Sequence, residues 1–430
     1  MARILLIHQN FPGQFRHLAP ALLALNHQVL CIGGPTAQPL GKLPLHTYNP
    51  LPVEGIPACH PFVVDQQTKA LRAFAAGELL ASLLDDFGIP DLVIGHSGWG
   101  ELLPVRALLP ETPIWHQVEF TYCHRGADTG FDPEFSSSNW QDHVRLALRR
   151  SFQLLCLDEL DVGVAPTWWQ WSTVPVPYRD RVQVIHEGID TIRIQPNPQA
   201  FLQLKAAGIQ LKAGDPVVTF VCRNLEPYRG IHRFMRMLPL LQRLNPDVRV
   251  VIVGEAGVSY GSPPPGGGTW KQALLQELGD QLDLSRIHFV GHVPHPVLHA
   301  LFQLSSCHVY LTYPFVLSWS LLEAMACGAL VVGSATPPLQ EVIRHGENGW
   351  LVDFFDTEGL AQRIASVLAD PQAQQALRLE ARATAVQGYD LQNVCLPRQL
   401  SLVDCLLQGN RPPAVIPPSA LIPNLYGACT

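Results

Sequence analysis

Apolar residues in this chain come in short unbroken runs. Ile4–Ile7 is the first, and His8 ends it. Four consecutive apolar residues closed by polar or turn residues read as a strand buried on both faces. A loop containing Gly13 follows, and Leu18–Leu25 reads as a helix. Further strand-like runs stand at Val29–Ile32, Leu92–Ile94, Ile114–His116 and Gly163–Ala165. Strands separated by helical stretches predict βαβ units and a parallel sheet. The pattern restarts after Asn197 with Val217–Val221, a helix from near Ile231, and Val248–Val253 closed by Gly254. His288–Val290, His308–Leu311 and Leu330–Val332 complete it. The expectation is two doubly wound α/β domains.

Length agrees with that division, because 430 residues exceed one ordinary core and suit two domains of about 200 residues each. The first domain is expected over 1–192, completed by a returning segment 398–430, and the second over 193–397. Pro196 and Pro198 mark Thr191–Gln199 as the linker. The Pro/Gly run Ser262–Gly268 is expected to be a surface excursion. The tail from Arg411 carries prolines 412, 413, 417, 418 and 423 and is expected to be non-helical.

Composition narrows the partners. Hydrophobic residues at 47% and charged residues at 15% describe a globular chain. A net charge of −7 gives no general field for nucleic acid. The ten cysteines form no CxxC cluster, so they read as reduced, buried thiols of a cytoplasmic protein, without a zinc site. Met1–Ile7 is cut by Arg3 and is too short for a leader or a membrane span, and no run of about 18 apolar residues occurs elsewhere. A soluble protein is expected, with peripheral membrane contact through an apolar surface left open.

Ligands of open α/β sheets sit outside the carboxyl ends of strands, so the loops after the strands are where chemistry is expected. Tyr313–Gly328 crosses from a strand to a helix starting near Ser318–Ser320. Free N–H groups there suit an anion, Ser318 and Ser320 suit capping, and Glu323 suits a sugar hydroxyl. An ordinary capped helix with a dipole-favoured acid fits equally. Arg223 and Arg229 follow Val217–Val221 and suit a diphosphate, or are surface arginines balancing Glu226. Gly13 allows close backbone approach to a ligand, or is a turn glycine, and its loop is no GxGxxG. His96 lies in a glycine-rich loop after Leu92–Ile94, and is either a cleft-facing polar group or a solvated loop histidine. Glu119 follows Ile114–His116. Gly126–Phe135 either shapes an acceptor pocket or is an acidic turn.

Six segments in order then carry a resemblance: VIHEGID (184–190), RNLEPYRG (223–230), VIVGEAG (251–257), HFVGHV (288–293), LLEAMACGALVVGS (321–334) and LQEVIRHGENGWLV (339–352). Together they resemble the retaining glycosyltransferases of family 4, also called glycosyl transferases group 1. The resemblance implies a GT-B fold, two Rossmann-like domains facing across a cleft, and a hexosyltransferase-like enzyme. It implies that Arg223 and Arg229 bind the donor diphosphate and that Glu323 bonds the donor ribose. Leu317, Ser318, Trp319 and Ser320 match the phosphate-binding turn, Val293 matches a residue near the base, and Gly13 matches the loop closing over the donor. His96 matches a histidine beside the transferred sugar. Three positions depart from the family pattern. Phe315 stands eight residues before Glu323, where the first acid of E-x7-E is expected. Glu187 stands where many members have Asn, and Glu119 where they have His.

The resemblance implies transfer from a nucleotide-sugar co-substrate to a glycan, lipid-linked or small-molecule acceptor. His96, Glu119, Arg223 and Arg229 are the expected catalytic set. No metal is expected, because arginines and a helix start can hold the leaving phosphate and no DxD motif lies in a suitable strand-end loop. Two other readings stay open: a non-catalytic sugar-nucleotide or glycan-binding protein, and an epimerase or phosphorylase on the same fold.

Overall fold

Each apolar run of the first half becomes a strand. The computed structural model describes residues 1–50, 59–136, 139–204, 208–419 and 421. Its first sheet holds β1 (Arg3–Ile7), β2 (Gln28–Gly33), β3 (Leu45–Thr47), β4 (Leu92–His96), β5 (Ile114–Gln117), β6 (Val162–Ala165) and β7 (Val182–Val184). All pair in parallel, in the order β3-β2-β1-β4-β5-β6-β7. Leu6 is in register with Cys31 on one side and Ile94 on the other.

The period of two along β1 explains its unbroken apolar run. Ile4 and Leu6 enter one core with Leu18, Leu22, Leu402 and Leu406. Leu5 and Ile7 enter the opposite core with Ala76, Leu80 and Val93. The first core lies under helices Leu18–Ala24 and Leu396–Leu407, the second under the long helix Val64–Phe87. The last helix therefore returns to the first sheet, and burying a leucine such as Leu402 or Leu406 contributes roughly 1.5–3 kcal/mol. Arg398 and Gln399 add bonds to the carbonyls of Val184 (2.8 Å) and His186 (3.0 Å).

The second half opens with an antiparallel pair, β8 (Phe201–Leu204) and β9 (Ile209–Lys212). A second parallel sheet follows: β10 (Val217–Asn224), β11 (Arg249–Glu255), β12 (Ile287–Gly291), β13 (Cys307–Tyr310), β14 (Val331–Ser334) and β15 (Trp350–Val352). Its order is β12-β11-β10-β13-β14-β15. Helix Ile231–Leu244 packs on Thr357–Ala369, and Trp319–Ala326 packs on Gln375–Tyr389.

Two units result, Met1–Gly188 with the chain from Gln392 onward, and Ile189–Leu391. The divisions fall a few residues before the expected 192 and 397. In the second unit, Ile189 N–H donates to Tyr389 O and Leu391 N–H to Ile189 O, each at 2.8 Å.

Some details agree with the sequence reading and others depart from it. Strand β11 runs through Gly254 to Glu255. The run Ser262–Gly268 is anchored, since Pro264 is buried and Trp270 Nε1 donates to Ser262 O at 2.9 Å. The tail over 411–418 is non-helical, and Val415 packs against Leu157, Trp171 and Val182. Pro423 and the rest of the segment 422–430 lie outside the described residues. Among the described residues, Cys31, Cys59, Cys156, Cys222, Cys307, Cys327, Cys395 and Cys405 are free thiols. Cys123 is disulfide-bonded, which corrects the expectation of reduced thiols throughout. Among the described residues no helix is long and apolar enough to cross a membrane.

Candidate functional site

The strand order of each sheet reverses at one point, between β1 and β4 in the first unit and between β10 and β13 in the second. Loops diverge there and leave a crevice at the strands' carboxyl ends. Gly13 and His96 lie at the first point and Arg223, Arg229 and Leu317–Ser320 at the second, while Glu119 follows β5 and Val293 follows β12.

In the first unit His8 follows β1 directly and is buried. Asn10 N–H lies 3.0 Å from its Nδ1. A backbone N–H can only donate, so the neutral ring carries its proton on Nε2, which meets Gln14 Oε1 at 2.5 Å. Gln14 Nε2 then donates to Glu119 Oε1 at 3.2 Å. His96, the last residue of β4, is built alike. Gly98 N–H donates to its Nδ1 at 3.0 Å, which leaves Nε2 directed at Glu119 Oε2, 3.4 Å away. The His96 ring stacks on Trp99 at 3.8 Å, and His8 meets Trp99 edge-on at 4.9 Å. Burial, with His96 nearby, lowers His8 to about 4, so its ring is neutral near pH 7. The Glu119 side chain is 35% exposed against 5% for His96. The carboxylate is thus the solvent-facing end of the array.

Gly13 serves this array by what it lacks. Its φ is +45°, and a Cβ there would lie 2.2 Å from the His8 ring. Glu187 is buried, accepts from Gln117 Nε2 at 3.2 Å and lies 3.6 Å from His186 Nε2. Burial holds His186 at about 3. In Gly126–Phe135, Asp132 Oδ1 accepts from Glu134 N–H at 3.1 Å, as an acid does in a turn.

In the second unit the two arginines part company. Arg223 is exposed near the end of β10. Arg229 is buried at 8% exposure, so it is no surface arginine. Its Nη1 donates to Tyr310 Oη (3.3 Å), Thr312 Oγ1 (2.9 Å) and Val316 O (3.0 Å). Its guanidinium lies 5.7 Å from the Tyr260 ring centroid and 5.9 Å from that of Phe315. Burial opposes the charge, while Tyr310, Tyr260, Cys222 and Glu226 favour it, and the balance lies above the usual arginine value. Glu226 favours the Arg229 charge but makes its hydrogen bonds elsewhere. Its buried carboxylate accepts from the N–H groups of Ser259 (3.1 Å), Tyr260 (3.1 Å) and Gly261 (2.8 Å). That ties the loop after β11 to the turn Pro227–Arg229.

Tyr310 links Arg229 to the next helix, since its hydroxyl also accepts from Ser318 N–H at 2.8 Å. Ser318 caps helix Trp319–Ala326 by accepting from Ser320 N–H at 3.3 Å, and its hydroxyl meets that of Ser320 at 2.9 Å. Leu317 is buried and Trp319 half-buried. Glu323 is buried on the helix, with His299 Nε2 3.7 Å from its Oε1. Phe315 is buried against Tyr228 and Tyr260, so no carboxylate occupies its place. Val293 is half-buried against the second core.

The structure therefore joins Gly13, His96 and Glu119 into one array, and Arg229, Leu317, Ser318 and Ser320 into one loop-and-helix start. It leaves Arg223 and Val293 outside those bonded sets. Sequence reasoning passed over His8, Gln14, Trp99, Tyr310 and His299. Only His8 carried a signal, as a polar residue directly after a buried strand, like His96.

Residues 25–194 match the family model described as glycosyl transferase family 4 group, and residues 205–384 match that of glycosyl transferases group 1. The chain is 30% identical over 310 residues to a D-inositol 3-phosphate glycosyltransferase of Mycolicibacterium vanbaalenii, covering 70% of this chain and 65% of the relative. It is 29% identical over 213 residues to a glycogen synthase of Mycobacterium tuberculosis, covering 50% and 46%. The chain spans about half the length of several curated relatives it matches. Among solved structures, sucrose-phosphate synthase from Thermosynechococcus elongatus shares the fold with a TM-score of 0.70 at 19% identity, over 95% of this chain and 100% of that one. Anabaena HepE in complex with UDP-glucose gives 0.63 at 16% identity, over 94% and 100%.

Proposed function

We infer, for a GT-B chain that belongs to the glycosyltransferase family 4 group, that it moves a sugar from a nucleoside-diphosphate sugar to a hydroxyl acceptor with retention. The setting is glycan, polysaccharide or glycolipid synthesis, and the acceptor is a glycan, a lipid-linked sugar or a small molecule.

The observation that carries this reading is Arg229. A buried guanidinium is costly unless its charge has work to do. Its Nη1 is held by three protein oxygens, which fixes the fork beside a capped helix start. Fixed positive charge and a helix N-terminus stabilise an anion without reorganising. A departing nucleoside diphosphate is such an anion. Arg223, exposed near the end of β10, supplies a second guanidinium, and Glu323 accepts from a ribose hydroxyl. The turn Leu317–Ser320 borders the phosphate, Val293 borders the base, and Gly13 belongs to the loop that closes over the donor.

With these charges on the leaving group no metal is required for transfer. As the bond to phosphate breaks, the anomeric carbon becomes oxocarbenium-like. The acceptor oxygen attacks on the face the phosphate leaves, and a phosphate oxygen takes its proton. Configuration is kept without a carboxylate nucleophile. In the first unit, the Glu119 carboxylate accepts from an acceptor hydroxyl, held by Gln14 Nε2 and with His96 Nε2 3.4 Å away. Phe315 offers no acceptor oxygen, so the donor sugar is held by other groups.

Proton NMR of a nucleotide-sugar panel with the full chain and candidate acceptors tests the reading. Release of one nucleoside diphosphate, a product of unchanged anomeric configuration, and turnover unaffected by a chelator are expected. An inverted product, or turnover that the chelator abolishes, would contradict it. Phe315 favours one second reading, a protein that binds sugar nucleotides without transfer, and calorimetric binding with no consumption of any donor would select it.

A further inference from the structure

Helix His295–Leu304 follows β12, and Pro294 caps its start. His295 and His299 are four residues apart on it, so they share one face. Their ring centroids are 5.9 Å apart. Helix Trp319–Ala326 packs against this helix and brings Glu323 to the same place. One ligand atom from each of His295, His299 and Glu323 lies within 4.8 Å of the others. His299 Nε2 is buried without a hydrogen-bond partner, and it faces Glu323 Oε1 at 3.7 Å.

We propose that His295, His299 and Glu323 form a binding site for one transition-metal ion of the Zn²⁺ class.

The chemistry of the three groups fits that ion. Two imidazoles and one carboxylate are a common zinc donor set, and a pair of histidines at i, i+4 on a helix is a recurrent way to present two of them. Ligand atoms each about 2.0–2.1 Å from a shared tetrahedral ion stand roughly 3.3–3.4 Å from one another. The 3.7 Å between Nε2 and Oε1 closes to that separation with a shift of a few tenths of an ångström. A hydrogen bond would draw the two atoms to about 3 Å. The exposed His295 completes the set by a change of rotamer, and solvent takes the fourth position. The set is soft enough to prefer zinc, cobalt or nickel over magnesium, which favours oxygen ligands.

The site has a consequence that rests on the proposed donor role of Glu323. A carboxylate that ligates zinc cannot also accept from the donor ribose, so zinc and donor compete for one side chain. Zinc is then an inhibitor of a transfer that needs no metal.

The experiment titrates the full, nucleotide-free chain with Co²⁺ and follows the visible d–d absorption, then repeats it with Zn²⁺ by calorimetry. One saturable site is expected, with tetrahedral cobalt bands and no thiolate charge-transfer band. Because His295 is exposed, His295→Ala leaves the fold intact, and at least a tenfold loss of affinity is expected from it and from His299→Ala. No saturable binding, binding unchanged in both variants, or a thiolate band would overturn the site. None of these readings involves a donor, so they fail or hold independently of the proposed transfer. If transfer is established, His295→Ala should stay active and lose its inhibition by zinc. Inhibition that persists undiminished in that variant would overturn the competition.

Discussion

At the scale of the residue, Gly13 and Arg229 show how far local sequence can mislead. At Gly13 the sequence allows either close approach of a ligand or a plain turn. The group that approaches is the His8 ring, which a Cβ would meet at 2.2 Å. Gly13→Ala should therefore destabilise the protein by about 1–3 kcal/mol through the left-handed φ and the clash, a loss that urea unfolding would measure. It should also disconnect His8, Gln14 and Glu119. No loss of stability would mean that the His8 ring swings away freely. Arg223 and Arg229 looked alike in sequence, as two cations seven positions from end to end of one loop. Only tertiary contacts distinguish them, because Tyr310, Thr312 and Val316, which fix Arg229, come from β13 and the loop after it. Glu226 was legible as an acid beside arginines. Its bonds to the N–H groups of Ser259–Gly261 depend on a loop more than thirty residues away.

At the scale of the element, the central strands were legible because burial on both faces leaves an unbroken apolar run. Strands β1, β2, β4, β6, β11 and β14 had such a run, whereas Thr219 interrupts it in β10 and His116, His288 and His308 interrupt it in β5, β12 and β13, of which β12 is an edge strand. The short strands β3, β7 and β15, of three residues each, lie at sheet edges, where one neighbour suffices and no run is required. The antiparallel pair β8 and β9 alternates partly buried and exposed positions and gave too little apolar sequence to notice. The helix at Ser318 was legible from its cap. Ser318→Ala should cost about 1 kcal/mol of stability by removing that cap, as thermal unfolding would report. Donor affinity should fall as well, since the same residue belongs to the proposed phosphate turn. A stability loss with donor affinity unchanged would remove Ser318 from the site and leave it a structural cap.

At the scale of the whole molecule, the two repeats of one strand order were legible as a pattern that stops and starts again, and the return of helix Leu396–Leu407 to the first sheet was anticipated in the expected domain limits. The crowding of buried histidines was not, because a histidine inside a strand reads the same whether its neighbours are water or side chains. Burial lowers His8 to about 4 and His116, His186 and His308 to about 3, against an ordinary value near 6.5. Below that ordinary value the unfolded chain takes up protons that the folded chain refuses. Stability is therefore complete above about pH 6.5 and falls progressively as pH drops toward about 4 and then about 3. Unfolding temperatures measured between pH 7 and pH 4 should decline steadily, and a flat profile would contradict neutral, buried rings. The central claim is that the second unit holds a nucleoside diphosphate through its arginines. Calorimetry of UDP, GDP and ADP and their sugars tests it most directly, on the full chain, on Arg229→Lys, and on a variant combining Arg223→Ala with Arg229→Ala. The account predicts that one nucleotide and its sugar bind, that Arg229→Lys retains part of the affinity, and that the double variant loses it while still unfolding cooperatively. Affinity unchanged in a folded double variant, or no binding of any nucleotide by the native chain, would contradict it.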